Sequence, residues 1–445
     1  MVISATIALS DFIANTRELP SAVIERAKIH IGDTLACIYA GTVSRPVEVL
    51  IAASAPAGDG DGVLIPGLGR WTDPSLAALL TGTCAHADDF DDTSEFSMNG
   101  HPSAPIVSAL LPTAFLLRSS GQAFLLAYAI GVEIACKLGV AVGTAHTHRG
   151  WHTMSTLGAL AAAGAVANLR GLTAAQTERA LAITCSFAGG ILGNTGTMTK
   201  SLHCGRAANA GFLAAILAEK GLTAGSNILE APAGFLEAFA SRPAGTLALP
   251  PLGEPWELVT TGLAVKLYPC CSCTHLAIDG ALELRRTPGF NIRAIERIDC
   301  FAREECIHYL RFEKPRTAIE AKFSMNYTVA AALLQGELTL DDFESAAIER
   351  GDIAALSDKV EMHVREEGSA QPDIAVSFSD GTRLGQRRDA PRGAPQDPPG
   401  WDDIAKKLSG GFARAKDRFL PADFERHVAA LQQLEDVPRL SDIFA

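Results

Sequence analysis

The sequence of 445 residues lacks the features that identify several large classes of protein. No uninterrupted apolar run reaches the roughly 18 residues of a membrane-spanning helix, and no basic segment precedes the first apolar residues. The formal net charge of −12 argues against the basic surface that nucleic acid requires. We therefore expect a cytoplasmic protein that binds neither membranes nor nucleic acid.

Fingerprints of common cofactors are also missing. No Gly-x-Gly-x-x-Gly motif follows a predicted strand, no phosphate-binding loop occurs, and no residues show convincing metal-ligand spacing. The ten cysteines are not a disulfide framework, and Cys270, Cys271 and Cys273 have no distant partner pair of the kind found in zinc sites. The sequence predicts buried thiols, no cofactor and no bound metal.

Aromatic residues are scarce, at 6%, whereas small apolar residues are abundant up to about residue 260. Their spacing is that of α-helices, which predicts a densely packed, all-helical domain over residues 1–262. Helices are predicted at 21–41, 73–86, 105–117, 123–139, 156–168, 173–188 and 202–220. Thr173 and Gln176 form a capping-box pattern, and the small residues of 202–220 allow close approach of neighbouring helices.

The pattern changes after Lys266. Strands are predicted at 294–302, 359–365 and 373–378, with a hairpin turn at 379–382 and helices at 323–334 and 340–349. Four prolines between 388 and 400 predict a linker, after which a helical tail over 401–445 should pack back on the first domain. The expected fold class is mainly α, with a large helical domain and a smaller α+β domain over 263–400.

Short polar segments interrupt the helical sequence, and each contains a group that can transfer a proton or bind a carboxylate. The first begins at His86 and contains four aspartates. If the preceding α-helix continued through this segment, His86, Asp89 and Thr93 would share one face of it. Asp89 should therefore point inward. Asp88, Asp91 and Asp92 fit a solvated helix end equally well.

The remaining segments supply histidines and lysines. His101 lies on a loop between glycine and proline, and His152 lies at a predicted helix start, where the helix dipole favours a neutral imidazole. Lys200 and His203 are three residues apart at the start of an alanine-rich helix. Lys266 precedes a proline-stiffened segment at the apparent domain junction, where clefts usually form.

In order and spacing these segments resemble the MmgE/PrpD family, from His86-Ala-Asp-Asp-Phe-Asp-Asp-Thr93 to Phe323-Ser-Met-Asn-Tyr327. Its members include 2-methylcitrate dehydratase, cis-aconitate decarboxylase and iminodisuccinate epimerase. The resemblance implies a homodimer whose α+β domain forms a lid over the helical domain, with the active site between them. It implies that this site is faced by Asp89, Thr93, His101, His152, Lys200, Lys266 and Tyr327.

One position departs from the family pattern. Decarboxylases of the family have a histidine five residues after the lysine, whereas this chain has Cys271. The departure argues against decarboxylation more than against α-proton chemistry in general.

The residues themselves indicate chemistry at a carbon next to a carboxylate. Removing that proton builds an enolate-like dianion, which cations and hydrogen-bond donors stabilise. The predicted catalytic residues are His152, His101, Asp89, Lys200, Lys266 and Tyr327, and the predicted substrate-binding residues are Thr93, His203, Arg206 and Cys271. We expect a dehydratase-type lyase acting on a small di- or tricarboxylate. An epimerase of an iminodisuccinate-like dicarboxylate is the alternative.

Two other interpretations deserve comparison. Asp88-Asp89-Phe-Asp-Asp92 fits the aspartate motif with which helical terpenoid synthases bind magnesium diphosphate, and 341–349 approximates their second motif. The scarcity of aromatics disfavours a carbocation cavity, and Thr339 with its following aspartates is also typical of a capped helix. A non-catalytic binding protein is disfavoured because a scaffold does not need histidines and lysines at helix starts.

Overall fold

The computed structural model describes residues 4–54, 62–71, 73–243, 245, 247–366, 368–415 and 418–445. Within these ranges the chain is mainly α-helical. Its α-helices, in chain order, are α1 (Ala5–Asn15), α2 (Ser21–Gly41), α3 (Arg45–Ala53), α4 (Pro74–His86), α5 (Ser103–Leu117), α6 (Gly121–Val142), α7 (Ala145–His148), α8 (Thr153–Leu169), α9 (Ala174–Phe187), α10 (Met198–Glu219), α11 (His275–Arg285), α12 (Glu304–Tyr309), α13 (Ala318–Ala321), α14 (Met325–Gln335), α15 (Ser345–Ile348), α16 (Gly351–Ser357), α17 (Trp401–Arg414) and α18 (Phe424–Gln432). Its strands are β1 (Val63–Ile65), β2 (Gly69–Trp71), β3 (Ile295–Ala302), β4 (Val360–Val364), β5 (Ile374–Phe378) and β6 (Arg383–Gln386).

The chain divides into two compact units. Unit 1 comprises residues 1–87, 91–265 and 400–445, and unit 2 comprises residues 88–90 and 266–399. The short segment 88–90 thus belongs to unit 2 although both of its flanks belong to unit 1. The lid function of the smaller unit stays a prediction.

Unit 1 is a bundle of helices with very small residues at its centre. Every residue of α8 from Thr153 to Ala167 is buried, and α8 packs against α5, α6 and α10. A Cβ atom added at Gly211 of α10 would lie 2.6 Å from the Cβ atom of Ala162 on α8. The predicted close approach of helices is therefore confirmed, and it explains why so few aromatic residues suffice to fill this core.

Helix starts in unit 1 follow the capping patterns of the sequence. The carboxylate of Asp73 accepts hydrogen bonds from two backbone N–H groups at the start of α4. Thr173 and Gln176 form the predicted capping box at the start of α9. These caps satisfy backbone donors that would otherwise lack partners at each helix start.

Helix α6 is long and apolar enough to cross a membrane by length and composition alone, although Glu133 and Lys137 interrupt its apolar residues. Within its most apolar 18-residue window, 89% is buried inside the protein. Lys137 pairs with Glu257 at 2.9 Å, and Glu133 accepts hydrogen bonds from the backbone N–H groups of Gly253 and Glu257. These contacts are typical of a core helix.

The C-terminal helix α17 packs against α2 within unit 1. The ammonium group of Lys407 on α17 forms a buried ion pair with Asp33 on α2. Burial raises the pKa of Asp33 to about 6, because desolvation of the carboxylate outweighs the opposing effect of Lys407. The tail is thus attached through charge as well as through apolar contacts.

The described part of unit 1 also contains one two-stranded hairpin, in which β1 and β2 pair antiparallel. It was not expected from the sequence, since three-residue strands leave almost no periodicity to read. The hairpin buries Val63, Ile65 and Trp71 against α4 and its surroundings. It does not alter the predominantly helical character of this unit.

Unit 2 contains the four-stranded sheet, with strand order β4-β3-β5-β6. Strand β3 pairs parallel with β4 and antiparallel with β5, and β5 pairs antiparallel with β6 across the turn at 379–382. Gly381 in this turn has a φ of +83°, a conformation that glycine adopts readily. The three predicted strands and the hairpin turn are confirmed, and helices α11 and α14 pack on the same apolar core.

The helix predicted over 340–349 is wrong as a continuous element. The structure has a 3₁₀ turn over Leu340–Phe343 and then the short helix α15, separated by Glu344 in an extended conformation. The hydroxyl of Tyr327 donates to the carbonyl of Asp342. In a continuous helix this carbonyl would accept from the backbone N–H four residues later. A tertiary hydrogen bond thus accompanies the break in the helix.

Candidate active site

The aspartate run does not continue helix α4. The helix ends at His86, and residues 87–93 form a turn in which Asp89 has a left-handed φ of +52°. The prediction that His86, Asp89 and Thr93 share one helix face is therefore wrong. The prediction of a solvated end is wrong as well, because Asp88, Asp91 and Asp92 are buried along with Asp89. Buried carboxylates need partners, and each aspartate has them.

Two of the aspartates bind lysines within unit 2. The ammonium group of Lys266 donates to the carboxylate of Asp89 at 2.9 Å and to its backbone carbonyl at 2.8 Å. Lys322 makes the same pair of contacts with Asp88, at 2.7 Å and 2.8 Å. The predicted residues Asp89 and Lys266 are thus brought together, and each lysine holds both the side chain and the backbone of one aspartate.

The next aspartate lies in unit 1 and joins a histidine to a lysine. Nδ1 of His86 lies 2.7 Å and 2.9 Å from the two carboxylate oxygens of Asp91. Nε2 of the same ring lies 2.8 Å from Nζ of Lys200, in the first turn of α10. His86 and Asp91 are buried and Lys200 is half-buried. The three groups form a continuous polar chain.

Asp92 fixes the position of His101. The Nδ1–H group of His101 donates to the backbone carbonyl of Asp92 at 2.9 Å, and the same nitrogen lies 3.5 Å from Asp91. The carboxylate of Asp92 accepts a hydrogen bond from the hydroxyl of Ser103 and lies 2.9 Å from Nδ1 of His30. In a neutral His101 with its proton on Nδ1, Nε2 carries the lone pair, as a general base requires.

His152 and His203 form a buried pair within unit 1. Their Nδ1 atoms lie 3.1 Å apart, so one ring donates a hydrogen bond and the other accepts it. Burial lowers the pKa of His152 well below its usual range, and the nearby charge of Lys200 lowers it further. Burial also lowers the pKa of His203, again with a contribution from Lys200. Both imidazoles are neutral at physiological pH.

The local backbone explains why His152 is held in place. As predicted, His152 begins a helix, as the N-cap residue of α8, and its carbonyl accepts from the N–H groups of Ser155 and Thr156. Its own N–H donates to the carbonyl of Gly190 at 3.0 Å. Gly190 has a φ of +129°, and a Cβ atom there would lie 2.6 Å from that of Ser155. Only glycine allows this close approach.

The other predicted site residues have different positions. Thr93 exchanges two backbone hydrogen bonds with Ala264, at 2.8 Å each, and its hydroxyl donates to the carbonyl of Gly100, next to His101. Arg206 is exposed, and its guanidinium donates to Asn209 one turn along α10. A surface position disfavours the substrate-binding role predicted for Arg206.

Tyr327 and Cys271 lie in the core of unit 2. The hydroxyl of Tyr327 donates to a backbone carbonyl and its ring contacts Phe343, which favours a packing role over the predicted catalytic one. Burial raises the pKa of Tyr327, so its phenol stays protonated. The backbone N–H of Cys271 donates to the carbonyl of Lys322. The thiol of Cys271 contacts that of Cys273.

The sequence did not identify three of the groups described above. Local patterns assign no role to His86 or Lys322, and they fit Asp91 to a solvated helix end as well as to a buried position. The signal that was available is local: His86 and Asp91 are five residues apart in a segment with several acid–base groups. No local pattern indicates the role of Lys322, because its partner Asp88 lies 234 residues away in the sequence.

One acid–histidine group in unit 2 could in principle bind a cation. The ligand atoms of Asp299, Glu361 and His363 lie within 4.8 Å of one another. However, Arg297 and Arg383 already donate to Asp299, and Arg297 also pairs with Glu361 at 2.8 Å. Two guanidinium groups therefore neutralise the carboxylates that a cation would need, and the group is a charge network on the sheet.

The magnesium-diphosphate interpretation finds no support in these contacts. The aspartates of the first motif are engaged by lysines, histidines and a serine. In the second motif, Asp342 accepts from the backbone N–H and the hydroxyl of Thr339, as expected for a capped turn. The aspartates named here thus have protein partners.

Comparison with known proteins finds relatives over most of the chain. The MmgE/PrpD N-terminal domain matches residues 8–246, and the MmgE/PrpD C-terminal domain matches residues 268–429. Human cis-aconitate decarboxylase is 28% identical over 96% of this chain and 91% of its own length. The mouse cis-aconitate decarboxylase is 30% identical over 82% of this chain and 77% of its own length. A 2-methylcitrate dehydratase from Escherichia coli K12 is 24% identical over 84% of this chain and 82% of its own length.

Proposed function

Because this chain belongs to the MmgE/PrpD family, we propose that it is a lyase that removes a proton next to a carboxylate of a small di- or tricarboxylate. The observation that carries the proposal is the cluster in unit 1 of His86, His101, His152, Lys200 and His203, which we call the histidine–lysine cluster. It combines neutral imidazoles with a cation, the two kinds of group that this chemistry needs.

The protonation states of the cluster suit proton abstraction. His152 is kept neutral by burial and by the charge of Lys200, so it can accept a proton at physiological pH. His101 donates from Nδ1 to the carbonyl of Asp92, which places the lone pair of the neutral ring on Nε2, the atom to which our proposal assigns proton transfer. In our proposal these two imidazoles divide the roles of base and, once protonated, acid.

In our proposal the lysines stabilise the negative charge that develops on the substrate. Removal of the α-proton concentrates negative charge on the carboxylate, and an ammonium group facing its oxygens lowers the energy of that state. Lys200 has this role in our proposal. Lys266, paired with Asp89, remains a predicted second cation whose contribution the variant Lys266→Ala would measure.

The imidazoles and the cation of the histidine–lysine cluster suit two lyase reactions. In a dehydratase, the carbanion expels a hydroxyl group on the adjacent carbon, and this is the reaction that we favour. A decarboxylase, in which the carbon–carboxylate bond breaks, carbon dioxide leaves and an imidazolium protonates the resulting carbanion, is the second candidate, since the relatives with that name are 28–30% identical to this chain and the dehydratases 24%. Cys271, where the family decarboxylases have a histidine, disfavours it.

Product analysis distinguishes these reactions. The protein would be incubated in deuterated water with 2-methylcitrate, citrate, cis-aconitate or iminodisuccinate, and the products followed by proton NMR. A new alkene signal indicates dehydration, and released carbon dioxide indicates decarboxylation. Deuterium at the α-carbon without loss of substrate indicates an epimerase. If no acid gives any of these signals, the proposal fails.

The same assay tests the expected independence from metals. The histidine–lysine cluster supplies the base and the cation from the chain itself, so treatment with EDTA should leave the rate unchanged. Loss of activity in EDTA and its return with magnesium would contradict the proposal.

A further inference from the structure

A polar chain of three side chains ends at Lys200. The carboxylate of Asp91 contacts Nδ1 of His86 at 2.7 Å and 2.9 Å, and Nε2 of His86 contacts Nζ of Lys200 at 2.8 Å. His86 is the last residue of α4, Asp91 lies in the following turn, and Lys200 lies in the first turn of α10. Three separate backbone elements therefore converge on one imidazole.

The direction of the hydrogen bonds follows from the chemistry of the groups. A carboxylate only accepts, so Nδ1 of His86 must donate to Asp91. The proton of a neutral imidazole is then on Nδ1, and Nε2 carries a lone pair that points at Lys200. An ammonium group only donates, so this lone pair matches it. Asp91 thus sets the tautomer of His86 that Lys200 requires.

We propose that His86 and Asp91 are positioning residues that orient the ammonium group of Lys200 for carboxylate binding. The proposal rests on the proposed function, in which Lys200 faces the substrate carboxylate. The bond to Nε2 fixes one N–H direction of the Lys200 ammonium group, and preorganised donors stabilise developing charge better than mobile ones.

The carboxylate of Asp91 lies close to a second histidine as well as to His86. The same carboxylate lies 3.5 Å from Nδ1 of His101, and the rings of His86 and His101 contact edge to face with centroids 4.7 Å apart. The ring of His152 lies 6.2 Å from that of His86. Asp91 and His86 therefore form the centre around which the proposed base residues and Lys200 are arranged.

Three substitutions separate positioning from simple packing. In Asp91→Asn, the amide can donate to Nδ1 of His86, which moves the imidazole proton to Nε2. Two donors, Nε2–H and the ammonium group of Lys200, then face each other. In His86→Asn, the shorter side chain can still reach Asp91 but not Lys200. In His86→Gln, the amide oxygen can reach the place of Nε2 and accept from Lys200. The glutamine variant should therefore rescue the function that the asparagine variant loses.

The first readout needs no substrate. Acetylation with acetic anhydride at fixed pH modifies free amines and not ammonium groups, and mass spectrometry of the peptides reports the rate at each lysine. Lys200 should react several-fold faster in Asp91→Asn and His86→Asn than in the wild type, because its ammonium form loses an acceptor. It should react at nearly the wild-type rate in His86→Gln. Lys220, exposed at the end of the same helix, is the control and should not change.

The second readout is turnover of the acid that the wild type converts. Asp91→Asn and His86→Asn should lower kcat/KM by about 10- to 100-fold, the effect of one charge-assisted hydrogen bond, with a raised KM. His86→Gln should retain most of the activity.

The outcomes distinguish this proposal from the proposed function. Unchanged acetylation of Lys200 in both asparagine variants, with only a lowered Tm, would assign His86 and Asp91 to packing and overturn the positioning role. Faster acetylation of Lys200 in a protein that converts no carboxylate would support the positioning of Lys200 and overturn the lyase assignment. Because Asp91 is fully buried, the two His86 variants keep the test informative if Asp91→Asn does not fold.

Discussion

His152 owes its protonation state to burial at a helix start. Its side chain is removed from water, and its backbone begins α8, whose N–H groups disfavour a positive charge nearby. An unfolded histidine has a pKa of about 6.5, whereas burial keeps the pKa of His152 well below that value. Its protonation is therefore linked to the stability of the fold.

The sign of this linkage gives a first prediction. Below pH 6.5 the unfolded chain binds a proton at this position that the folded chain does not bind, so the free energy of unfolding falls as the pH falls. Above pH 6.5 the contribution is fully present. For one such group the free energy of unfolding falls by about 1.4 kcal/mol between pH 7.5 and pH 5.5. His152→Gln should remove it, so Tm of the variant should decrease less than that of the wild type over this range. An equal decrease in both proteins would contradict a neutral, buried His152.

Asp89 combines a buried ion pair with an unusual backbone conformation. Its φ of +52° costs most residues roughly 1–2 kcal/mol, whereas aspartate and asparagine tolerate it better. Asp88 makes an equivalent pair with Lys322, and its φ is not positive. The two positions thus offer a matched comparison.

We predict that alanine at either position lowers the free energy of unfolding by about 3–5 kcal/mol, because a lysine is left without its carboxylate. Asparagine should restore more stability at position 89 than at position 88, since it also relieves the backbone cost there. Urea denaturation of Asp88→Ala, Asp88→Asn, Asp89→Ala and Asp89→Asn measures both differences. An equal gain from asparagine at the two positions would show that the left-handed conformation of Asp89 carries no cost.

The sequence could identify individual acid–base groups but not their partners. His101 lies between a glycine and a proline, and His152 and Lys200 lie at the N-cap or in the first turn of a helix, positions that local sequence patterns indicate. The burial of four neighbouring aspartates was not predictable, because it depends on lysines and histidines far away in the chain. In physical terms, local patterns report backbone geometry, whereas carboxylate burial depends on tertiary partners.

At the level of elements, close helix packing in unit 1 rests on glycine. A Cβ atom at Gly211 would lie 2.6 Å from both the Cβ atom of Ala162 and the backbone N of Ala163, so α10 and α8 would have to move apart. Gly410 in α17 is exposed, and a Cβ atom there would meet nothing within 4 Å. The same substitution should therefore have opposite effects at the two positions.

We predict that Gly211→Ala destabilises the protein by about 1–3 kcal/mol through overpacking. Gly410→Ala should stabilise it by about 0.5–1 kcal/mol, since alanine loses less conformational entropy than glycine in a helix. Thermal unfolding of the two variants beside the wild type provides the measurement. A neutral or stabilising Gly211→Ala would mean that the two helices are less tightly packed than the structure indicates.

Long periodic elements were predictable, and short or tertiary-dependent ones were not. Helix α2 begins and ends at the residues expected from its apolar spacing, and α9 begins at its capping box. The hairpin of β1 and β2 is too short to give a periodic signal. The break at Glu344 follows Asp342, whose carbonyl accepts a hydrogen bond from Tyr327 on another helix. Sequence periodicity therefore predicts elements that local interactions determine.

At the level of the whole molecule, we propose a homodimer, as the family resemblance implies. Unit 1 exposes the apolar side chains of Phe187, Ile191 and Met198, which a second copy could cover. Sedimentation at micromolar concentration should give twice the 46.8 kDa mass of the chain. A monomer mass across this concentration range would contradict the proposal without affecting the assignment of the histidine–lysine cluster.

The central claim is that this chain removes an α-proton from a carboxylate with its own neutral imidazoles. The most direct test is the rate at which the α-hydrogen of the converted acid is lost in deuterated water, measured by proton NMR with EDTA present. The wild type should show this loss, and His152→Gln, with circular dichroism like that of the wild type, should be slower by about 100-fold or more. A folded His152→Gln variant that removes the α-hydrogen at the wild-type rate would contradict the account.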